Sequence, residues 1–164
     1  MYDPSYVKEF KKNELSSFDY ALLDAYCALK EEGEKEISVR LLADRAGVER
    51  NDFYRCYDST LSFIERVEED TVARMNDLAS AEDESYYARL FSFFRENDKE
   101  IMAILDYPAY REDLISSIAL HFTADDKEGS QMIYTKASIV FSTFYAYLHY
   151  SIDVDFSILR DFVS

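Results

Sequence analysis

Residues that break or redirect the backbone are scarce in this sequence. Its 164 residues include three glycines and two prolines, where average usage gives about eleven and about eight at that length. Because so few turn-forming residues are available, the composition favours long helices that are joined by short links.

Cysteine is equally sparse, since the chain holds only Cys27 and Cys56 and no CxxC spacing. This excludes a disulfide framework and a cysteine-based zinc site, and it predicts a reducing, cytoplasmic environment. The segment from Met1 to Pro4 opens no apolar stretch, so we expect no signal peptide. The longest uncharged run, residues 137–152, has sixteen residues. A bilayer span needs roughly 20, and we therefore expect no membrane partner.

Acidic residues greatly outnumber basic ones. Eighteen Lys and Arg stand against 33 Asp and Glu, which gives a net charge of −15 and a pI of about 4.4. Such a balance argues against nonspecific binding of polyanions by the molecule as a whole. Residues 1–57 hold nine basic and twelve acidic groups, whereas residues 58–164 hold nine and twenty-one. Most of the acidity therefore lies in the second part of the chain.

The apolar residues indicate the fold class. They make up 48% of the chain, and 26 of them are Phe or Tyr, which is enough for a substantial core. Their spacing is helical nearly throughout, and no stretch alternates with the period of a strand. Ser16 and Asp19 have the spacing of a capping box that opens a helix at about Ser17, and Gly33 ends that helix. The pattern predicts an all-α fold of about nine helices without a sheet.

The second and third predicted helices have the arrangement of a helix-turn-helix. Ser38 caps the second helix, a tight turn at Gly47 and Val48 ends it, and the third runs from about residue 49 to residue 57. Phe53 and Tyr57 then point into a small core. The residues left on the outer face of the third helix are Arg50, Asn51, Tyr54 and Arg55. Arginine and amide side chains on such a face read base edges and hold phosphates.

The sequence of this segment resembles that of a known protein family. Residues 37–57, ISVRLLADRAGVERNDFYRCY, resemble the DNA-binding region of TetR-family transcriptional regulators. The residues in register with the family pattern are Ser38-Val39-Arg40, Ala43, Ala46-Gly47-Val48 and Phe53-Tyr54. The likeness spans about forty residues, and nine helices agree with the family's architecture. Residues 83–122 also resemble one of the short C-terminal domains of this family.

The resemblance implies roles for particular residues. It gives Ser38 and Arg40 contacts with phosphates or the groove, and it gives the outer face of the third helix the recognition role. Thr60 stands where the family often carries a DNA-contacting lysine. The implied partner is a double-stranded, palindromic operator, which a dimer binds with its two recognition helices one or more helical turns apart. Lys8, Lys11 and Lys12 precede the first helix, where family members often carry a basic arm.

Three positions depart from the family pattern. Glu49 replaces the serine that caps the recognition helix, Asp52 replaces a small hydroxyl residue, and Thr60, which follows Asp58, replaces the lysine. Each change removes a phosphate partner or adds negative charge. They motivate the alternative of a degenerate family member that binds DNA weakly or not at all and acts as a protein-interaction module.

These features predict two domains, which are a helix-turn-helix DNA-binding domain over residues 1–58 and a helical domain over residues 59–164. An acidic start at residues 82–84, a loop at 125–129 and a long helix from Ser130 to about Tyr150 belong to the second domain. Because the uncharged run at 137–152 is apolar nearly all round, we expect a homodimer through the last two helices.

The second domain also carries aromatic residues at helical spacing, which suit either core packing or a pocket for a small apolar or aromatic effector. The candidate pocket residues are Phe91, Phe94, Met102, Tyr107, Tyr110, Phe122, Phe141, Phe144 and Tyr145. A third class of function, an aromatic-ligand-binding protein without DNA binding, depends on this aromatic content alone.

Catalysis has little support in the sequence. His121 and His149 are the only histidines, and neither has a Glu three residues before it, so the di-iron bundle pattern fails. GxSxG, P-loop and GxGxxG motifs are absent. We expect a protein that is not an enzyme and has no cofactor or metal site.

Overall fold

The computed structural model describes residues 15–79, 86–122, 129–153 and 155–163. Within those ranges it consists of nine α-helices without a strand, which confirms the predicted all-α class. The helices are α1 Ser17–Glu31, α2 Val39–Ala46, α3 Arg50–Cys56, α4 Thr60–Ala79, α5 Tyr86–Glu96, α6 Asp98–Leu105, α7 Pro108–Phe122, α8 Ser130–Tyr150 and α9 Phe156–Val163.

Some sequence-based predictions lie outside the described residues. They are the basic arm of Lys8, Lys11 and Lys12, the acidic helix start at residues 82–84, and all of the loop at 125–129 except Gly129.

Helix α1 begins and ends where the sequence predicts. The backbone N–H of Ser16 donates to the Asp19 carboxylate at 2.7 Å, and the N–H of Asp19 donates to the Ser16 hydroxyl at 3.2 Å. This is a reciprocal capping box, which satisfies two of the backbone donors that a helix start leaves unpaired. At the other end Gly33 has a φ of +91°. The N–H of Glu34 donates to the Leu29 carbonyl at 3.0 Å, which completes a Schellman motif.

A tight left-handed turn joins α2 to α3. Gly47 has φ 69° and ψ 29°, a conformation that costs glycine little because it has no Cβ. The N–H of Val48 then donates to the Ala43 carbonyl at 3.1 Å. Val48 itself is partly buried against the core, as expected for a side chain that spaces the two helices. At the start of α2 the Ser38 hydroxyl accepts from the N–H of Leu41 at 3.2 Å.

The core beneath α3 is aromatic and contains one buried acid. Phe53 is fully buried, and its ring centroid lies 5.6 Å from that of Tyr57. Tyr57 packs in turn on Phe63 of α4, with ring centroids 5.4 Å apart. The Tyr57 hydroxyl donates to the carboxylate of Asp19, whose exposed fraction is 0%. Burial and this bond to Asp19 raise the pKa of the Tyr57 hydroxyl, which therefore stays a proton donor.

Three of the remaining helices, α5, α6 and α7, pack directly on α4. Helix α7 also lies against α8. Helix α6 also packs on α1, where the Tyr26 hydroxyl donates to Asp106 at 2.7 Å and Lys99 pairs with Asp24 at 2.6 Å. Buried side chains form one continuous cluster from α1 to α9. The orientation of the helix-turn-helix is thus held by α6 as well as by its own core.

We expect the Tyr57–Asp19 hydrogen bond to be a large single contribution to stability. The change Tyr57→Phe removes the hydroxyl and leaves the rest of the ring packing in place. Because a hydrogen bond to a carboxylate contributes about 1.5–3 kcal/mol, the free energy of unfolding should fall by about that amount. Urea unfolding followed by circular dichroism measures it.

Tyr54→Phe is the matched control, because the Tyr54 side chain is 56% exposed on the opposite side of α3. We expect that variant to match the wild type. Equal stability of Tyr57→Phe and Tyr54→Phe would contradict the role given to the buried bond.

Candidate nucleic-acid interface

The outer face of α3 is polar and exposed. Arg50, Asn51, Tyr54 and Arg55 are all exposed, while Phe53 between them is completely buried. The ring of Tyr54 packs edge-on against Phe53 with centroids 5.8 Å apart, so its base is held and its hydroxyl faces solvent. The structure therefore brings the four predicted recognition residues to one surface of one helix.

The two predicted contacts from α2 are also exposed. The Ser38 hydroxyl accepts a bond from Leu41 at the helix start, and its own proton has no acceptor among the described residues. Arg40 lies 3.9 Å from Asp44, and both side chains are mostly exposed to solvent. A pair of that kind contributes little and exchanges readily for another partner.

Nearby acids hold most of the arginines around α3. Arg55 pairs with Asp52 one turn earlier at 2.7 Å. Arg45 makes a two-pronged contact with Glu32, one bond of which measures 3.1 Å. The hydrogen bonds of this contact lower the pKa of Glu32 and raise that of Arg45, so both groups stay charged. The local positive charge is therefore largely neutralised within the chain.

Arg50 differs from its neighbours. Within the described parts of the chain its guanidinium forms no ion pair or hydrogen bond. It lies at the first position of α3 and is exposed. Because guanidinium groups bind phosphates and guanine edges through two parallel hydrogen bonds, Arg50 is the α3 cation most readily available to a nucleic acid.

Thr60 lies apart from this surface. Its exposed fraction is 9%, and its hydroxyl donates to the Ile37 carbonyl at 2.8 Å. The bond ties the start of α4 to the segment before α2. The hydroxyl proton is therefore used inside the chain, and Thr60 offers no side-chain donor in place of the lysine that the family resemblance suggests here.

The nine candidate pocket residues lie in different surroundings, some in the core and some beside clefts. Phe94 and Phe144 are fully buried, with ring centroids 5.5 Å apart, and Phe141 lies 6.2 Å from Phe94. Phe91 packs on this cluster, 5.8 Å from Phe144. These four residues belong to the core or pack against it, which is the alternative that the sequence left open, and Phe141 also lines a cleft.

The other pocket candidates lie further out. Tyr107 and Tyr110 pack on each other at 5.6 Å, and Phe122 packs against His121 at 5.3 Å. Met102 and Tyr145 line a cleft of about 500 Å³ between α6, α7 and α8, and Phe141 forms part of its floor. A smaller cleft of about 330 Å³ lies between α1 and α6 and shares Met102.

Seven of the ten residues that line the larger cleft were not among the predicted site residues, and two of them, Arg111 and His149, carry side-chain N–H donors. Arg111 is exposed at its edge and forms no ion pair or hydrogen bond with a described residue. His149 has a buried Nε2 atom without a hydrogen-bond partner, and burial lowers its pKa. Helical periodicity gives no signal for either, because both belong to faces that the sequence assigns to core or solvent.

Two further properties of the described residues bear on the site. They contain no group of three or more His, Cys, Asp or Glu side chains that could hold a metal ion. None of the helices in these ranges is both long enough and apolar enough to cross a membrane.

Compared with known proteins, the chain matches no family model, no curated protein and no solved structure. The likeness to a regulator family therefore depends on the residues of the helix-turn-helix themselves.

A single change at the start of α3 should strengthen the fold. Glu49 is the N-cap of α3, yet its side chain makes no capping bond. In Glu49→Ser the hydroxyl can accept from the N–H of Asn51 or of Asp52, as the side chain of an N-cap serine does. We expect the free energy of unfolding to rise by about 0.5–1 kcal/mol. The new cap stabilises the helix by more than is lost when the negative charge of Glu49 is removed from the positive end of the helix dipole. Thermal and urea unfolding measure this.

Glu49→Gln is the control, since it removes the charge without supplying a cap. If both variants were equally stable, capping would not be the missing element at this position.

Proposed function

We propose that the protein is a one-component transcriptional regulator of the TetR type, most simply a repressor, that binds a double-stranded DNA operator through α2 and α3. The observation that carries this proposal is the exposed face of α3, where Arg50 has no partner among the described residues and lies beside Asn51, on a helix held by the Gly47 turn and the buried Phe53. The in-register residues 37–57 support it independently.

In this proposal α3 enters the major groove. Arg50 and Asn51 then read base edges, because a guanidinium matches the two acceptors of guanine and an amide matches adenine. Ser38 and Arg40 contact the phosphates beside the groove, as does the Tyr54 hydroxyl. Such phosphate contacts set the register of the helix on the duplex, and the base contacts supply the specificity.

The protein should bind DNA more weakly, and with less dependence on salt, than a protein with a more basic surface does. Each phosphate that a protein neutralises adds about 0.9 to the logarithmic salt slope. Arg55 is paired with Asp52, and Arg45 is held by Glu32. These cations must leave an acid before they can contact DNA. Breaking these ion pairs costs free energy, which lowers the affinity for DNA. Nonspecific binding is weakened most, because it depends on phosphate contacts.

The same ion pairs favour a second candidate function. A protein-interaction module would use this mixed-charge face, with Glu49 and Asp58 exposed beside it, to bind another protein instead of DNA. Sequence-selective DNA binding separates the two candidates, because only a regulator that reads an operator requires it.

A palindromic operator requires two recognition helices, and we propose a homodimer through α8 and α9. Large apolar side chains are exposed here, including Met132, Ile152 and Ile158, of which Ile158 is 66% exposed. An open groove of about 640 Å³ runs along α8, floored by the small side chains of Ser138, Ser142 and Ala146. A second copy of the same face would cover these groups through an isologous contact.

A small apolar or aromatic effector would act by preferring one of two spacings of the recognition helices. Helix α6 lines the larger cleft and also packs on α1, next to the helix-turn-helix. A ligand that shifts α6 would therefore change the position of α3 in each subunit.

The test is binding of a labelled duplex from the protein's own promoter across a salt series. We expect selective binding over a scrambled duplex, and we expect Arg50→Ala to weaken it by about 1–3 kcal/mol per subunit. Asp52→Asn should act in the opposite direction, because it removes the ion pair with Arg55 and a negative charge.

Arg95→Ala, which removes an exposed arginine from α5, is the control and should leave the DNA affinity unchanged. Absence of selective binding at about 50 mM salt, where phosphate contacts are strong, would exclude the regulator and favour the interaction module.

The dimer has its own test. Ile158→Arg places a charge on the exposed face of α9 without touching the core of one chain. We expect light scattering to report two chains of 19.2 kDa for the wild type and one for the variant. Leu61→Arg, at another exposed apolar position on α4, should remain dimeric. A monomeric wild type at tens of micromolar would contradict the proposed interface.

A further inference from the structure

The larger cleft has a chemical character that the aromatic core lacks. It measures about 500 Å³ and lies between α6, α7 and α8. Its floor is apolar, formed by Ile115 and Phe141, and the flexible Met102 stands at its edge, 43% exposed. A cleft of this size, with an apolar floor and a polar edge, can hold a small molecule that has both an apolar and a charged part.

The acidic groups at the edge already have partners. Asp106 accepts a hydrogen bond from the Tyr26 hydroxyl at 2.7 Å, and Lys30 lies 3.3 Å from the same oxygen. Glu112 accepts from the Tyr134 hydroxyl of α8. These bonds hold both carboxylates to neighbouring helices and leave less of their charge available to a cation in the cleft.

The donors at the edge are unused. Arg111 forms no ion pair or hydrogen bond with any described residue, in a chain whose net charge is −15. The buried Nε2 of His149 has no partner either, and the ring is held against Tyr145 with centroids 4.0 Å apart. Burial lowers the pKa of His149, so the imidazole is neutral at pH 7 and presents one N–H. An unpaired cation and a neutral donor thus border one apolar floor.

We propose that this cleft binds a small carboxylate with an apolar or aromatic body. Arg111 pairs with the carboxylate, His149 donates a hydrogen bond to one of its oxygens, and the body packs on Ile115 and Phe141. A guanidinium is the preferred partner for a carboxylate because its planar N–H groups match the two oxygens. Such a carboxylate would be the effector of the proposed regulator. Its role as an effector rests on the proposed function, whereas its binding to the cleft does not.

The test is direct binding of three matched probes followed by protein NMR, without DNA. The probes are 3-phenylpropanoate, 3-phenylpropanamide and 3-phenylpropylamine, which share a ring and linker and differ in charge. At about 10 mM we expect shifts confined to α6, α7 and α8 and the lowest Kd for the carboxylate. Arg111→Ala should weaken the carboxylate about tenfold or more and leave the amide unchanged.

Arg95→Ala, which removes another exposed arginine, should bind all three probes as the wild type does. His149→Gln keeps a donor near the same place and should bind the carboxylate better than His149→Ala. Tighter binding of the amine, equal binding of acid and amide, or an Arg111→Ala variant that keeps the preference for the acid would each overturn the proposal. None of these measurements involves DNA. Failure of the carboxylate to bind would therefore leave the proposed operator binding untouched, and failure to bind an operator would leave the carboxylate site untouched.

Discussion

One buried carboxylate joins the start of α1 to the end of α3 and so fixes where α3 lies. Asp19 accepts hydrogen bonds from the backbone N–H and the hydroxyl of Ser16 and from the hydroxyl of Tyr57. The first two close the opening turn of α1, and the third fixes the residue that follows α3. A fully buried carboxylate is costly unless donors surround it, so the three bonds act together to exclude other packings. The position of the C-terminal end of α3 depends on this anchor.

Electrostatics sets the strength of the proposed interaction with DNA. The net charge of −15 lies mostly beyond residue 57, and the arginines around α3 are largely paired within the chain. On the proposed DNA-binding surface, the attraction for phosphates is therefore restrained at short range by Asp52 and Glu32. A regulator built this way relies more on base contacts than on the general charge of DNA.

Local signals in the sequence predicted much of this structure. The Ser16–Asp19 box, the left-handed Gly33 and Gly47, and the inward Phe53 all depend on residues within five positions of one another. The bonds that assemble the helices do not, since Tyr57 and Asp19 are 38 residues apart and Tyr26 and Asp106 are 80 apart. Periodicity identifies the buried face of a helix and not its neighbour. For that reason it grouped core aromatics with cleft residues and passed over Arg111 and His149.

The most direct measurement is unbiased selection of binding sites from random double-stranded DNA by the intact protein. A regulator with two α3 helices related by a twofold axis should enrich a palindrome whose half-sites are one helical turn, or a small number of turns, apart. The enriched half-site should change when Arg50 or Asn51 is replaced, because these residues are proposed to read bases. Recovery of no common sequence after repeated rounds at low salt would contradict the regulator and leave the helix-turn-helix with another partner.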